Sequence, residues 1–325
     1  MDRRAQTVEK KPLGVFESLS SGFELIWLNP WILLVPIALD VFLWLGPQVR
    51  ARPIFQKMIA LLTWLTPANA PDETLQNIEL LKSMLQTAGD TLNVLSLLAT
   101  GMPSVIGWQS PTVTIPRIEW VISEPLVLLG VSLALLIGAV LVAGVYFELT
   151  ARPIRHEAVA SSFVARWLRA CVDLIVLALL VIVGISALML PMTILAGTLS
   201  IASETLASFL LLGGMMLVFW AMLYLVFAIP AIFISRASAP QALVNSVSIF
   251  RFDFWSAIGL IFLVYLLRSG FAIIWQFFDT TMWGVLFIVI ANAFFSSALL
   301  AAQMIFYHDR MYWLSRAREK MTPTG

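Results

Sequence analysis

Long apolar runs separated by short polar stretches dominate the hydrophobic pattern of this chain. A bilayer core of about 30 Å requires about 20 mostly apolar residues in each transmembrane helix. Six stretches reach that length, over residues 27–46, 125–147, 171–197, 205–235, 254–277 and 281–306. The pattern therefore predicts an all-α, polytopic membrane helix bundle with six transmembrane helices.

These spans divide the chain into five parts. Residues 1–26 form an N-terminal tail with an interfacial helix, residues 27–46 the first span, and residues 47–124 a long loop. Spans two to six occupy residues 125–306, and residues 307–325 form a C-terminal tail. The first apolar stretch lacks a small-residue cleavage site, so we expect a retained span rather than a signal peptide.

The long loop has its own helical signal. Between residues 72 and 98 apolar residues recur at helical spacing, and residues 52–64 predict a further interfacial helix. The segment beyond Gly101 is rich in proline and contains Trp108 and Trp120, which favours an ordered loop. We interpret the whole loop as a helical cap resting on the membrane, with a dedicated binding domain as the alternative.

Composition and charge agree with a membrane location and orient the spans. The chain is 60% hydrophobic and 12% charged, against about a quarter charged in soluble domains. Fourteen of the twenty Lys and Arg residues fall on the side that holds both termini, and five fall in residues 47–124. Because cytoplasmic loops accumulate Lys and Arg, we predict that both termini are cytoplasmic.

A similar segment precedes each odd-numbered span. The three segments cover residues 16–31, 157–170 and 241–255, and each is amphipathic, rich in small residues and carries a Trp at or near its end. Such segments are typical of helices that lie in the membrane interface. The similarity predicts three repeats of an interfacial helix followed by a helical hairpin, with chance similarity as the alternative.

Three polar residues lie inside predicted spans and form the candidate intramembrane polar site. Asp40 and Arg268 each lie about thirteen residues into a span, and Asn292 lies in the sixth. Buried ionisable groups are costly in a membrane, so they are candidates for function by default. We predict an Asp40–Arg268 ion pair joining spans one and five, with a substrate or ion site, or no contact between the two residues, as the alternatives. Asn292 is expected to hydrogen-bond to another helix beside the small residues Ala293, Ser297 and Ala301.

A second, weaker candidate is an interfacial cluster of His156, Glu157, His308 and Asp309. Acid-base or metal chemistry there would require the two His-acid pairs to converge. The lone Cys171 excludes an intrachain disulfide, and no phosphate-binding glycine loop, HExxH or GxSxG motif occurs in the sequence. We therefore assign no catalytic, metal or cofactor-binding residue.

Three segments carry a family resemblance. They are the entry sequence Asn29, Pro30 and Trp31, the stretch 239–255 with Ser246 and Ser248, and residues 306–310, which read Phe, Tyr, His, Asp, Arg. In these segments the chain resembles the membrane domain of glycerophosphoryl diester phosphodiesterases and related bacterial six-span proteins. In the phosphodiesterases a separate soluble barrel domain carries catalysis, so the resemblance implies a membrane fold in a bacterial cytoplasmic (inner) membrane and does not by itself imply an activity.

Three functions remain open. The leading hypothesis is a membrane scaffold, accessory or envelope component whose partners are membrane lipids or other membrane proteins. A small transporter or permease subunit is motivated by Asp40, Arg268 and Asn292. An interfacial lipid enzyme would need the histidine cluster. The net charge of +1 gives no reason to expect a nucleic-acid partner.

Overall fold

A computed structural model describes residues 11–67, 72–107, 116–155 and 163–321. Its α-helices are α1 (Val15–Leu28), α2 (Leu34–Leu45), α3 (Arg52–Leu65), α4 (Asp72–Thr91), α5 (Pro125–Ile154), α6 (Phe163–Leu199), α7 (Glu204–Leu225), α8 (Ala228–Ile234), α9 (Ala239–Phe252), α10 (Phe254–Trp275) and α11 (Met282–Met321). Short 3₁₀ helices cover Pro30–Leu33 and Val94–Ala99. Strands β1 (Gln48–Arg50) and β2 (Glu119–Val121) pair in parallel. The all-α prediction is confirmed.

Among the described residues, five helical segments are long and apolar enough to cross a membrane. They are Pro125–Ile154, Phe163–Leu199, Glu204–Ile234, Phe254–Trp275 and Met282–Ala317. Large apolar side chains remain exposed along them, such as Leu126 at 82% and Leu129 at 67%. In water this surface would be unfavourable, whereas lipid tails solvate it. The chain is thus a multi-pass integral membrane protein.

The first predicted span differs from the prediction, because it is broken at Asn29. The chain bends by 88° between Val15–Leu28 and Pro30–Leu45. A residue before proline disfavours the α-helical conformation, and Asn29 ends α1 by donating its side-chain amide to the Leu25 carbonyl at 2.9 Å. The segment after the bend is about 24 Å long at 1.5 Å per residue, shorter than the other spans.

Three of the other spans, in α5, α6 and α11, are longer than the prediction, which placed their ends at the edges of the apolar runs. Helix α11 continues to Met321, through residues expected to form a tail. Helix α6 begins at Phe163, so the described part of the predicted second interfacial segment belongs to a transmembrane helix rather than to a helix of its own. Residues 156–162 lie outside the described residues.

The chain divides into two compact units, each described separately. Unit one comprises residues 1–29, 147–267 and 298–325. Its core contains aromatic rings packed around Phe227, whose centroid lies 5.6 Å from those of Phe250 and Phe306. Ser246 of α9 closes the break between α7 and α8, since its hydroxyl donates to the Tyr224 carbonyl at 2.5 Å and accepts from the Phe227 N–H at 3.2 Å.

Helices α1 and α9, both in unit one, are equivalent over their whole length. Each has 14 residues, and each follows an extended N-cap residue, Gly14 (φ −67°, ψ 166°) or Ser238 (φ −64°, ψ 159°). They end at Asn29 and Asp253, whose backbone angles are also similar (φ −129°, ψ 59° and φ −144°, ψ 71°). The leading helices of two of the three predicted repeats therefore share one local structure, and the repeat of helix plus hairpin stays a prediction.

The small residues in α1 allow close packing against α11. A Cβ added at Gly22 would lie 2.7 Å from the Ala302 backbone nitrogen and still closer to the Ala298 carbonyl oxygen. Ala298 and Ala302 are both fully buried. Contacts between small residues are a common way for membrane helices to approach each other closely. Helix α1 is therefore held against α11 by backbone packing.

We expect Gly22→Ala to destabilise the protein by about 1–3 kcal/mol, because overpacking forces the backbones apart. Gly130→Ala in α5 is the matched control, since nothing lies within 4 Å of an added Cβ there. Equilibrium unfolding in detergent or nanodiscs measures both variants. Equal stability of the two variants would show that the α1–α11 contact is not tight.

Unit two comprises residues 30–146 and 268–297. It contains the paired strands, with Gln48 opposite Glu119 and Arg50 opposite Val121. Arg50 forms an ion pair with Glu119, its Nε lying 3.1 Å from Oε1. The Val49 N–H donates to the Asn93 side chain at 2.9 Å, which joins the strands to the end of α4. These bonds connect both ends of the long loop to each other.

Candidate functional site

The Asp40 side chain in α2 is fully buried and bonded to the long loop. Its carboxylate accepts a hydrogen bond from the Ser104 hydroxyl and another from the Val105 N–H at 3.1 Å. Ser104 is itself 7% exposed, and its oxygen also accepts from the Gly107 N–H at 2.9 Å. The carboxylate thus holds a short loop segment against α2.

Local backbone chemistry shapes this segment. The 3₁₀ helix Val94–Ala99 is capped by Asn93, whose side chain accepts from the Leu95 N–H. Gly101 then adopts φ +81°, a left-handed conformation that L side chains rarely take. The turn at Gly101 directs Met102 and Ser104 into the interior, where both are buried.

Asn292 reaches the same segment. Its amide donates to the Pro103 carbonyl at 3.4 Å, and its side-chain oxygen accepts from Ser296 at 3.2 Å. The sequence placed this amide against another helix, but it binds an irregular segment instead, because that segment has a carbonyl without a helical partner. Two of the three predicted polar residues therefore converge on residues 103–105.

Arg268 is not the partner of Asp40. Its side chain is exposed, and the Asp40 carboxylate is bound by Ser104 and Val105 instead. The predicted Asp40–Arg268 ion pair does not form between these two described residues. The physical reason is that hydroxyl and backbone donors already satisfy the carboxylate without the cost of burying a second charge.

The small-residue stripe of α11 adds one more polar contact in unit two. Ser297 is fully buried and accepts a hydrogen bond from the Tyr146 hydroxyl at 2.8 Å. Ala293, one turn earlier, is also fully buried. The stripe packs as the sequence indicated, with the Tyr146 bond as an addition that no local pattern signals.

Sequence reasoning missed a charged cluster in unit one. Arg310, counted as a cation of the tail, is 2% exposed. Its guanidinium pairs with Asp253 at 2.9 Å and Asp309 at 2.6 Å, and donates to the Leu13 carbonyl at 2.9 Å. It also lies 4.4 Å from the centre of the Phe306 ring. The cluster joins α11, the end of α9 and the residues before α1.

A second missed pair lies at the end of α5. Glu148 and Arg155 have side-chain exposures of 4% and 7%, and their charged atoms are 2.6 Å apart. Arg155 also donates to the Phe233 carbonyl of α8. Their spacing of seven residues, or two helical turns, could have predicted the pair, because it places both charges on one face of a helix.

The histidine cluster remains a prediction. His156 and Glu157 lie outside the described residues. His308 is exposed, and the Asp309 carboxylate is occupied by Arg310 and by the Leu13 N–H at 3.0 Å. Within the described ranges, no three His, Cys, Asp or Glu side chains are grouped so that they could hold a metal ion.

Comparisons with known proteins add no relative. Neither a family model, nor a curated protein, nor a solved structure matches this chain. The resemblance to the phosphodiesterase membrane domain is therefore still a prediction. The site must be interpreted from its own geometry, which shows buried polar groups bonded within the chain.

We expect Asp40→Leu to destabilise the protein by about 1–3 kcal/mol, because the Val105 N–H and Ser104 hydroxyl lose their acceptor. Arg268→Gln is the comparison and should not destabilise the protein, because Arg268 does not bind Asp40 and the loss of a charge inside a membrane span lowers a cost rather than removing a bond. Unfolding of both variants in detergent measures the difference. A large loss in Arg268→Gln would restore the ion-pair hypothesis.

We expect Arg310→Gln to destabilise the protein by about 3–5 kcal/mol, because it leaves two acidic side chains without their buried partner. Arg316→Gln, at an exposed position where the guanidinium lies 4.9 Å from the Tyr312 ring, is the control. Thermal unfolding and protease sensitivity near residue 13 report the outcome. Similar behaviour of the two variants would mean that Arg310 does not hold the N-terminal segment.

Proposed function

We propose that the protein is a non-enzymatic scaffold or accessory subunit in the bacterial cytoplasmic membrane. The observation that carries this proposal is that its most buried charged groups are bound to the chain's own atoms. Asp40, Glu148 and Arg310 are 0%, 3% and 2% exposed, and each has short bonds within its own unit. Groups used in this way stabilise a fold rather than contact a ligand.

The partners of such a protein are membrane lipids and other membrane proteins. Large exposed side chains line α10, including Phe262 at 63% and Tyr265 at 69%. The distribution of Lys and Arg supports cytoplasmic termini, which would expose the long loop on the opposite side. The phosphodiesterase resemblance agrees with this role, because the membrane domain of that family carries no catalysis.

A transporter is the second candidate, favoured by one observation. The first span is broken by 88°, and the short segment after the break carries the buried Asp40 carboxylate. Transporters commonly bind substrates and coupling ions where a helix is broken near the middle of the membrane. Here the carboxylate would have to exchange its bonds to Ser104 and Val105 for bonds to an ion or substrate.

Photo-crosslinking in native membranes tests the scaffold. A photoreactive phenylalanine at Phe262 or Tyr265 should capture one discrete membrane protein, whereas the same group at the fully buried Leu260 should capture none. Mass spectrometry identifies the adducts. Adducts to lipid alone at both exposed positions would argue against a protein partner.

Proton flux into liposomes that contain the purified protein separates the two candidates. The scaffold predicts the same flux as protein-free liposomes for the unmodified chain and for Asp40→Asn. A flux that the unmodified chain supports and Asp40→Asn abolishes would replace the scaffold with a proton-coupled transporter.

A further inference from the structure

The α3–α4 pair of unit two is an antiparallel hairpin. Arg52, at the start of α3, pairs with Asp90, near the end of α4, with Nε 2.7 Å from Oδ1. Nearby, a Cβ added at Gly89 would lie 3.1 Å from the Phe55 Cβ, so the two helices are in close contact there. A cleft of about 320 Å³ lies on the same side as the ion pair and includes Gln56 and Gln86 in its lining.

Both helices expose an apolar stripe. On α3, Met58, Leu61 and Leu65 follow each other at helical spacing and are 45%, 54% and 58% exposed. On α4, Leu81 and Met84 are 43% and 61% exposed. No residue of α3 is buried. The hairpin therefore leaves much of its large apolar surface uncovered by the chain.

The two stripes lie on the same face of the hairpin. Successive residues of a helix are rotated by about 100° around its axis. Measured from the side that contacts the partner helix, each stripe is rotated by roughly 60–140° around its own helix axis, in the same direction on both helices. When two helices lie side by side and antiparallel, an equal rotation in the same direction on each helix brings both stripes to the same face of the hairpin. Rotation in the opposite direction leads to Gln56 on α3 and to Gln86 and Asp90 on α4. One face is apolar apart from Thr74 and Asn77 in the first half of α4, and the other is polar.

The hairpin is attached at the end of a transmembrane helix. The Lys57 ammonium donates to the Ser123 carbonyl at 3.2 Å, two residues before α5 begins at Pro125. The next residue of that helix, Leu126, is 82% exposed and belongs to a membrane-spanning segment. The middle of α3 therefore lies where α5 enters the bilayer.

We propose that the apolar face of the α3–α4 hairpin lies in the surface layer of the bilayer, with its polar face toward water. Its position beside the start of α5 brings the stripes to the level of the lipid headgroups. Trp64, 79% exposed, is a residue type enriched at that level. The inference rests on membrane insertion and is independent of the scaffold role.

The charge balance of the hairpin indicates that its contact with lipid depends on burial of apolar side chains rather than on attraction to charged headgroups. The two helices contain three basic residues (Arg52, Lys57 and Lys82) and four acidic ones (Asp72, Glu73, Glu79 and Asp90). A hairpin with this balance gains nothing from anionic headgroups, which attract clusters of Lys and Arg. Its contact with lipid is therefore insensitive to salt and to anionic lipid.

Spin-label accessibility in the full chain tests the proposal. In a Cys171→Ser background, single labels are placed on the apolar face (Leu61→Cys or Met84→Cys) and on the polar face (Thr63→Cys or Ser83→Cys). The chain is reconstituted in phosphatidylcholine nanodiscs, and collisions with oxygen and with a water-soluble nickel chelate are measured. Leu129→Cys, on the exposed surface of α5, provides the lipid reference, and unfolding curves confirm that each variant is folded.

We expect the oxygen-to-nickel collision ratio to be several-fold higher at Leu61 and Met84 than at Thr63 and Ser83. The ratio should not change with salt or with added anionic lipid. High nickel accessibility on both faces would overturn the proposal and show a hairpin standing in water. Low accessibility to both reagents at Leu61 and Met84 would also overturn it, by showing that a second copy or another protein covers the face.

Discussion

A bilayer offers no water to a buried carboxylate or N–H, so a polar group inside it must find its partner within the protein. Asp40 illustrates this constraint, because Ser104 and the Val105 backbone are folded in from the long loop to satisfy it. The same segment provides a carbonyl for Asn292. One acidic side chain thus accounts for the path of a loop segment that would otherwise have no reason to turn into the interior of unit two.

Unit one meets the same constraint with charges. Arg310 joins Asp253, Asp309 and the Leu13 carbonyl, and the Leu13 N–H returns a bond to Asp309. Burying one cation between two carboxylates and a backbone group is tolerable because every charge has a partner. The cluster also secures the approach to α1, which then packs through Gly22 on the small residues of α11.

Helices α1 and α9 both need a small residue at the same position along the helix. Where α1 has Gly22, α9 has Ser246 at the matching position. Glycine permits backbone contact with Ala298 and Ala302, while Ser246 supplies the hydrogen bonds that the break between α7 and α8 requires. A small residue at this position serves both helices, for different physical reasons.

Asp40, Glu148 and Arg310 are buried and bonded within the fold, and the exposed surface of the long helices is largely apolar. This combination is the basis of the proposed scaffold, whose contacts would be with lipids and membrane proteins. The α3–α4 hairpin follows the same principle, since its two helices leave an apolar face that their own packing does not cover. On the long helices and on the hairpin alike, the exposed apolar surface is expected to contact lipid.

Hydropathy and helical period determined by themselves that this chain is a membrane helix bundle, where most spans lie, and that the long loop is helical. These are local properties, carried by neighbouring residues. Local sequence also placed the polar residues Asp40 and Asn292 inside apolar spans, where each needs a hydrogen-bond partner. The partners of these two residues were decided by tertiary structure alone, because Ser104 lies 64 positions from Asp40 and Pro103 lies 189 positions from Asn292. Arg268 lies at the predicted depth of Asp40 and carries the opposite charge. Depth along a helix does not show which donors contact a carboxylate, however, because that depends on how the loop folds.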